Sequence, residues 1–556
     1  MTPLPTPLER SVPSGAAGLP RYAAEWVALG VCAVWIFALL FATWPAPLYP
    51  DFNSNSPIDS AFFGYAGELI RTGARPYLDF WDHKPPLIFL VNAAGLMLSG
   101  GRVWGIWLVN LFMFLTAVVL GCLTLRRSFG TWGTVLGTTY FAFSLPLALP
   151  LNLTEGYVLP LQWAAAFLLT RSELSRFARP ALLGLMIGIL SAFAFFLRAN
   201  LIGAGLSVML ALSVVLLSER RFQAWLRFVA GTAAGAVSVA AVVLLYLWSL
   251  GVLEAFSDQV FHYNVVYSAA SWGMRVRAAI YVLGTASAFG SLILPAAGWA
   301  FAAYRLWSSR HRSLQAPLFF GLIWLPVEVA LASVSGREYA HYTAPLFAPL
   351  AFLAAIFAAE IAASLQEGDA NAGAVPARYA IGALAAGIVL LPLAQVLRDL
   401  RDSDLQGMRR DQIGAASAYI ASHTPPNAHV LVWGHAADVY FLSRRRPASR
   451  FIYALPLLTP GYADTALIRG FLDELRAAQP PLILDATAGQ RPADNLVPSL
   501  ATWNPHWRYP ATGAAPWWTM SSSLKAFYDY IGEQYTIVDS VGPQRWTVYR
   551  RTDTAR

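Results

Sequence analysis

The chain has 556 residues, of which 57% are hydrophobic and 13% are charged, and its mean hydropathy is +0.50. This composition excludes an ordinary soluble protein and indicates an integral membrane protein. The formal net charge is +8, but basic residues stand beside the ends of apolar segments, which predicts contacts with membrane lipids and no nucleic-acid partner. Both cysteines, Cys32 and Cys122, lie inside apolar segments, so we expect neither a disulfide framework nor a cysteine metal site.

The first apolar segment follows a polar leader, residues 1–21, and shows no clear small-residue cleavage site. We interpret it as a retained span and not as a signal peptide. About eleven apolar segments, each long enough to cross a hydrocarbon core of about 30 Å, follow along residues 22–397. The predicted spans are 22–44, 103–125, 132–149, 156–170, 181–197, 201–217, 228–250, 279–303, 316–334, 344–363 and 379–397.

The placement of positive charge orients these spans. Arginines cluster at four span ends: Arg126 and Arg127, Arg171 with Arg176 and Arg179, Arg220 with Arg221 and Arg227, and Arg305 with Arg310 and Arg312. Because cytoplasmic loops are enriched in Lys and Arg, a cytoplasmic N-terminus places all four clusters inside. The loop 45–102 and the tail 398–556 are then outside, where we expect the chemistry to occur.

The first outer loop begins with a predicted amphipathic helix. Residues 59–73, DSAFFGYAGELIRTG, carry apolar side chains on one helical face, with Asp59 at the start and Gly73 at the stop. We expect this helix to lie in the membrane interface. The segment 85–98 is apolar but short for a span, so we expect it to lie at the surface or dip inward. Between the two, YLDFWDHKPPLIF at residues 77–89 concentrates polar groups.

The tail 398–556 replaces long apolar runs with charges, prolines and short alternating segments, which is typical of a soluble domain. HVLVWG at 429–434 and PLILDAT at 481–487 predict buried strands, and residues 463–478 predict an amphipathic helix between them. YTIVDSV and RWTVYRR predict a closing pair of strands. The expected structure is a small extracytoplasmic α/β domain.

An acid opening an amphipathic helix after the first span, and a K-P-P motif about 25 residues later, resemble the GT-C superfamily of polyprenyl-phosphate-sugar glycosyltransferases. The likeness is closest to the family 39-like group, which contains bacterial relatives of protein O-mannosyltransferases and the lipid A aminoarabinose transferase. Residues 336–355, GREYAHYTAPLFAPLAFLAA, also resemble the late-span signature of that group. The resemblance implies a GT-C-type polytopic α-helical membrane protein of the bacterial inner (plasma) membrane, with a transmembrane catalytic domain at 22–397 and a periplasmic or extracellular C-terminal domain.

The resemblance also implies roles for individual residues. Asp59 matches the catalytic aspartate, Lys84 matches the lysine that meets the lipid phosphate, and Glu155 stands where the family places a second outer acid. The partners implied are a polyprenyl-phosphate-linked sugar donor and a lipid, glycan or protein acceptor. Relatives often carry a second acid after the aspartate, where this chain has Ser60. The missing carboxylate weakens the case for a metal site at this place. We expect no required cofactor, and dependence on a divalent metal stays open.

Transfer from a sugar phosphate needs a base for the acceptor hydroxyl and cations for the departing phosphate. A single displacement would invert the anomeric centre. Besides Lys84, we expect His83 beside it and polar residues at outer span ends to bind substrate: Arg198, Arg337 and His341. These candidates have structural alternatives: Asp59 and Glu155 could cap helices. Lys84 could snorkel, and Arg198 could anchor to lipid headgroups. We expect Asp82 and His83 to support Lys84 structurally and not to act as catalysts.

Glu328 lies inside a predicted span, where a carboxylate is a functional candidate or the partner of a cation such as Arg337. Residues of this kind also permit a second function, a secondary transporter or flippase of lipid-linked or small polar substrates. Transporters commonly contain paired halves with interrupted helices, and the sequence shows no such internal symmetry. A third possibility, a polysaccharide polymerase or ligase, would be expected to centre on a large later loop.

Overall fold

The structure is a computed structural model, and it describes residues 23–43, 58–144, 152–287, 292–308, 315–368, 404–488, 497–501 and 522–552. The chain forms two compact units. The first consists of Met1–Ala42, Asn110–Leu245 and Ser271–Arg401. The second consists of Thr43–Val109, Tyr246–Ala270 and Asp402–Arg556.

Helices dominate the described chain up to residue 368. In chain order they are α1 Ala23–Thr43, α2 Ile58–Arg71, α3 Leu87–Leu98, α4 Trp104–Ser144, α5 Thr154–Leu174, α6 Pro180–Leu197, α7 Gly203–Ser218, α8 Phe222–Ser249, α9 Leu253–Phe256, α10 Tyr263–Tyr267, α11 Trp272–Ser287, α12 Ile293–Ser308, α13 Ala316–Ser333 and α14 Phe347–Gly368. A π-helical turn, Ser257–His262, joins α9 to α10, and a 3-10 turn, Ala340–Leu346, leads into α14.

Within the described residues, five helical segments are long and apolar enough to cross a membrane: Trp104–Phe143, Pro180–Leu197, Phe222–Ser249, Ala316–Ser333 and Ala340–Ala363. Shorter apolar helices include Glu25–Ala38 and Gly203–Ser218. The expected multi-pass helical membrane protein is thereby confirmed. The predicted span 379–397 lies outside the described residues.

The predicted spans can be compared with the helices at two places. The spans predicted at 103–125 and 132–149 correspond to α4, which turns at Gly130, where φ is 66° and ψ is −170°; residues 145–149 lie outside the described residues. The span predicted at 279–303 includes most of α11 and α12, and residues 288–291 between them lie outside the described part of the chain, so a single span stays a prediction. Both helices pack against α13, and α12 also packs against α14.

Glycines bring α6 and α8 into close contact in the first unit. A methyl group added at Gly184 or Gly188 would meet the backbone of α8, and one added at Gly231 or Gly235 would meet the backbone of α6. Both helices thus carry two glycines with three residues between them, the spacing that lets membrane helices approach closely.

The apolar face of α2 packs against protein within the second unit. Residues 60–67 of α2 are buried throughout, because α2 packs against both α3 and a short helix of the C-terminal segment. A Cβ atom at Gly67 would lie 2.8 Å from the backbone nitrogen of Ala93, so the contact between α2 and α3 requires glycine. The amphipathic pattern of α2 therefore reflects packing against protein, and the location of α2 in the membrane interface stays a prediction.

The C-terminal segment forms the predicted α/β structure. Its elements are α15 Asp404–His423, β1 His429–Trp433, α16 Ala437–Ser443, β2 Arg446–Pro447, α17 Leu455–Leu458, α18 Thr465–Ala478, β3 Leu482–Asp485, α19 Lys525–Gln534, β4 Tyr535–Val541 and β5 Trp546–Arg551. The strand order is β2-β1-β3-β5-β4, with β1 parallel to β2 and β3, and with β5 antiparallel to β3 and β4. The two predicted buried strands, the helix between them and the closing pair are confirmed.

Candidate functional site

The second unit places Lys84 beside Asp59. Asp59 lies in the first turn of α2, and Lys84 precedes Pro85 and Pro86 at the start of α3. The Lys84 ammonium is 3.6 Å from the Asp59 carboxylate and 4.9 Å from the centre of the Phe63 ring. The Lys84 side chain is only 8% exposed, whereas that of Asp59 is 40% exposed. A largely desolvated cation therefore adjoins an acid that a substrate can reach.

The backbone of Lys84 is held from both sides. Its N–H donates to Asp82 Oδ1 at 2.7 Å, and its carbonyl accepts from the Tyr77 hydroxyl at 2.9 Å. Gln259, from the π-helical turn, closes the loop. Its Nε2 donates to the Tyr77 carbonyl at 2.7 Å, and its Oε1 accepts from the Asp82 N–H at 3.1 Å. Because Tyr77 and Gln259 are buried, these bonds are shielded from water and fix the loop.

The Asp82 carboxylate connects this loop to the C-terminal segment. Its Oδ2 accepts a hydrogen bond of 2.9 Å from the Tyr453 hydroxyl, while its Oδ1 serves the Lys84 backbone. Burial raises the pKa of the Asp82 carboxyl above its usual value, and the Lys84 ammonium acts in the opposite direction. Asp82 is 1% exposed, and burying a carboxylate is costly unless donors satisfy its oxygens. Each of these hydrogen bonds therefore stabilises the buried Asp82. Tyr453 therefore helps to position the Lys84 loop.

A second chain of hydrogen bonds runs parallel to the first. Trp81 Nε1 donates to the Tyr462 hydroxyl at 3.0 Å, and that hydroxyl donates to Asp258 at 2.6 Å. Trp81 is 1% exposed. The first loop, the π-helical turn and the C-terminal segment thus share one polar network within the second unit. Sequence analysis named Asp82 as a support for Lys84 but gave no role to Tyr453, Tyr462 or Gln259.

We expect Tyr453→Phe to destabilise the protein, because it removes one of the hydrogen bonds that hold the buried Asp82. The expected loss of stability is roughly 1–3 kcal/mol, measured by thermal unfolding in detergent. Tyr440→Phe serves for comparison, since the buried Tyr440 hydroxyl accepts from the Val432 N–H at 2.8 Å within the C-terminal segment. A Tyr453→Phe protein as stable as the wild type would contradict a role of this hydroxyl in holding Asp82.

His83 is half-buried among aromatic rings. Its ring centroid is 5.2 Å from that of Tyr263 and 5.4 Å from that of Tyr267. Its carbonyl accepts from Asn264 Nδ2 at 2.7 Å. His83 thus lies between Asp82 and Lys84 in the loop that these hydrogen bonds fix. Its ring and its carbonyl contact residues of α10.

A second polar cluster lies in the first unit, around Glu155. This carboxylate, in the first turn of α5, is 2% exposed. It forms an ion pair with Arg198 and accepts from the Thr154 hydroxyl at 2.9 Å, and His341 Nε2 lies 3.9 Å away. Arg198 also donates to the Tyr342 hydroxyl and stacks at 4.3 Å from the centre of that ring. Three of the predicted residues, Glu155, Arg198 and His341, are therefore neighbours.

Glu328 lies in α13 near this cluster and is 1% exposed. Its Oε1 accepts from Gln162 Nε2 at 2.8 Å and from Trp324 Nε1 at 3.0 Å. Neutral donors thus satisfy the carboxylate, and the suggested pairing with Arg337 is wrong. Gly203 in α7 leaves room for it, because a Cβ atom there would overlap the carboxylate. A small internal cavity is lined by Glu328 together with Glu155, Asn200, Leu201, Ala332, Tyr342 and Pro345.

Arg337 is half-buried in the turn between α13 and the 3-10 turn at Ala340–Leu346. The neighbouring Glu338 pairs with Arg277 at 3.8 Å. The structure shows no ion pair of Arg337 with Glu155 within the described residues. Sequence analysis also missed Tyr342 as the partner of Arg198, although its position directly after His341 was a signal that the turn faces the cluster.

Replacing Arg198 with methionine is expected to destabilise the protein, because it leaves the buried Glu155 without its main cation. Breaking a buried ion pair in this way costs roughly 3–5 kcal/mol. Thermal unfolding in detergent should show a large loss for Arg198→Met, which Arg198→Met combined with Glu155→Gln should partly restore. An Arg198→Met protein as stable as the wild type would contradict the described ion pair.

The described residues hold no group of three or more His, Cys, Asp or Glu side chains placed to bind a metal ion. Dependence on a divalent metal therefore stays open, as the sequence also left it. The chemistry that the arrangement permits without a metal is electrostatic: a buried ammonium for a phosphate and a reachable carboxylate for a hydroxyl proton.

Within the described residues the chain combines several helices of membrane-spanning length, an acid and a lysine paired in the first loop, and a small C-terminal sheet. The chain is similar to ArnT from Cupriavidus metallidurans bound to undecaprenyl phosphate, with a TM-score of 0.57 and 15% identity over 95% of this chain and 98% of that one. The apo state of the same protein gives a TM-score of 0.52 with the same identity and coverage. The predicted fold class, a polytopic α-helical membrane protein with a C-terminal α/β part, is therefore confirmed, and the fold is similar to that of the ArnT structures.

More distant structures match as well. The oligosaccharyltransferase of Archaeoglobus fulgidus tethered with an acceptor peptide gives a TM-score of 0.46 and 13% identity over 83% of this chain and 69% of that one. This similarity is too weak to carry an argument. No protein-family profile matches the chain, and no curated protein sequence does.

Proposed function

We propose that the chain is an inverting glycosyltransferase of the bacterial inner membrane. It moves a hexose or pentose from a polyprenyl-phosphate donor to a hydroxyl of a lipid, glycan or protein acceptor on the extracytoplasmic face. The observation that carries the proposal is the pair formed by the desolvated Lys84 ammonium and the reachable Asp59 carboxylate, 3.6 Å apart. The fold supports a lipid-phosphate ligand, since the similar ArnT structure is bound to undecaprenyl phosphate.

In this reaction the bond between the anomeric carbon and the phosphate oxygen breaks. The acceptor oxygen attacks the opposite face of that carbon and gives its proton to Asp59, so the configuration inverts. The departing polyprenyl phosphate carries negative charge, which Lys84 neutralises in a site with little water. His83, in the same turn, supplies a further polar contact for the donor.

The cluster in the first unit has a supporting role in this proposal. Glu155 is buried and engaged by several donors, so its geometry suits orienting Arg198 and His341 better than accepting a proton during turnover. Arg198, His341 and Arg337 stay proposed substrate-binding residues of the first unit. Glu155 is thus proposed as a positioning residue, and it is the second candidate for the catalytic base after Asp59.

The proposed division of labour places catalysis in residues 22–397 and a supporting extracytoplasmic domain in 398–556. The hydrogen bonds from Tyr453 to Asp82 and from Trp81 to Tyr462 support this role of the C-terminal segment. By bracing the Lys84 loop, the C-terminal segment makes the donor site rigid before the donor arrives.

The test is transfer of radiolabelled sugar from a panel of polyprenyl-phosphate sugars to membrane extracts by the purified full-length protein. Nucleotide sugars serve as the control donors. Transfer from a lipid-linked donor, with inverted configuration at the anomeric carbon, is the expected result. A product with retained configuration would contradict the single displacement, and the absence of transfer from every donor would favour a transporter or flippase.

A further inference from the structure

An open pocket of about 520 Å³ lies in the first unit, between the turn after α5 and the turn after α7. It is lined by Phe177, Ala178, Pro180, Arg220, Arg221, Phe222, Gln223, Ala224 and Arg227. None of these residues belongs to the proposed glycosyl-transfer site. They fall among the arginine clusters that the sequence places on the cytoplasmic side.

The pocket carries positive charge that nearby acids do not neutralise. Glu173 and Glu219 both pair with Arg176, and Arg221 also pairs with Glu219 at 3.6 Å. Arg220 and Arg227 are exposed, and they form no ion pair with any described residue.

The local backbone adds to this attraction for an anion. Phe222, Gln223 and Ala224 form the first turn of α8, whose N–H groups have no acceptor inside the helix and mark its positive end. Arg220 has a φ of 57°, which turns the chain sharply between α7 and α8 and brings its side chain to the pocket. Arg221 Nη1 donates to the Arg176 carbonyl at 3.0 Å, so the two turns are tied together.

Exposed apolar side chains lie on α6 and α8, the two helices that begin at the pocket. Phe222 is 54% exposed, Leu226 is 46% exposed and Leu182 on α6 is 47% exposed. Further along α8, Val237 and Val242 are also exposed. A ligand in this place meets arginines at one end and membrane-facing helices at the other.

We propose that this pocket binds the phosphate headgroup of an anionic membrane phospholipid, with acyl chains along α6 and α8. Arginines between helices on the cytoplasmic side suit such headgroups, and the exposed apolar side chains of α6 and α8 favour a lipid over a free phosphate ion. The site is independent of the proposed glycosyl transfer. The bound lipid holds the turn after α5 and the turn after α7 at the membrane surface. It thereby also holds the adjoining ends of α5, α6, α7 and α8.

The experiment titrates the purified full-length protein in detergent with dioctanoyl phosphatidylglycerol and follows its thermal unfolding. Dioctanoyl phosphatidylcholine and inorganic phosphate are titrated in parallel. We expect a saturable rise in unfolding temperature with phosphatidylglycerol alone. Equal effects of both lipids, or an equal effect of phosphate at the same concentration, would overturn the proposal.

Arg220→Gln with Arg227→Gln should weaken the apparent affinity for phosphatidylglycerol by roughly fivefold for each arginine, or about 25-fold together. Arg469→Gln with Arg545→Gln is the matched control, because both are exposed arginines of the second unit. Arg227→Gln alone tests the same point if the double variant does not fold. Unchanged affinity in a folded Arg220 and Arg227 variant would refute the site.

Discussion

Lys84→Met is expected to lower kcat/KM for a polyprenyl-phosphate sugar by about 10²–10³, the loss typical of removing one preorganised group that stabilises developing negative charge. Methionine keeps an unbranched apolar side chain of similar size, so the variant removes the charge beside Phe63 with little change in volume. The effect should be large because the ammonium is 8% exposed and acts in a site of low dielectric.

The matched control for this variant is Lys525→Met, which removes an exposed lysine that pairs with Asp529 in α19. It should retain full activity. Lys84→Arg should recover part of the lost activity, since it restores charge with different geometry. If Lys84→Met keeps wild-type kcat/KM while remaining folded, Lys84 does not hold the phosphate.

Asp59→Asn is expected to lower kcat by about 10²–10⁴ and to leave donor binding largely intact, because amide replaces the base without changing the size of the side chain. The Asp59 side chain is 40% exposed, so the substitution should alter stability little. The measurement is single-turnover transfer with donor binding followed separately, so that loss of the chemical step is distinguished from loss of affinity.

Asp529→Asn is the control for this second prediction, since Asp529 is 50% exposed and lies far along the sequence in α19. A fully active Asp59→Asn protein would assign the proton to another group. In that case Glu155 becomes the next candidate, and Glu155→Gln should then show the loss expected of Asp59.

Some contacts of the Lys84 loop could be predicted from the sequence, because they join residues that are close together along the chain. Asp82 receives the Lys84 N–H two residues along, and the prolines after Lys84 set the start of α3. The pairing with Asp59 could be inferred only from the resemblance. The sequence around Tyr453 and Gln259 gives no indication of a role. Both residues contact Asp82 in the fold, although they are 371 and 177 residues away from it along the chain.

The limits of the predicted fold have similar causes. Apolar residues on one face of α2 fit contact with lipid and contact with protein equally well, and only the position of α16 shows that protein packs against this helix. In the same way, Glu328 could be recognised as an unusual intramembrane acid, but its donors Gln162 and Trp324 could not be chosen without the packing of the helices.

The most direct test of the proposed function uses proteoliposomes containing the wild-type protein, an acceptor extract and a polyprenyl-phosphate sugar labelled in both sugar and lipid. Mass spectrometry then follows the appearance of free polyprenyl phosphate together with the glycosylated product. The proposal predicts equal amounts of the two, and a loss of both in Lys84→Met and Asp59→Asn. Movement of the intact donor across the bilayer without cleavage would contradict it and show a flippase instead.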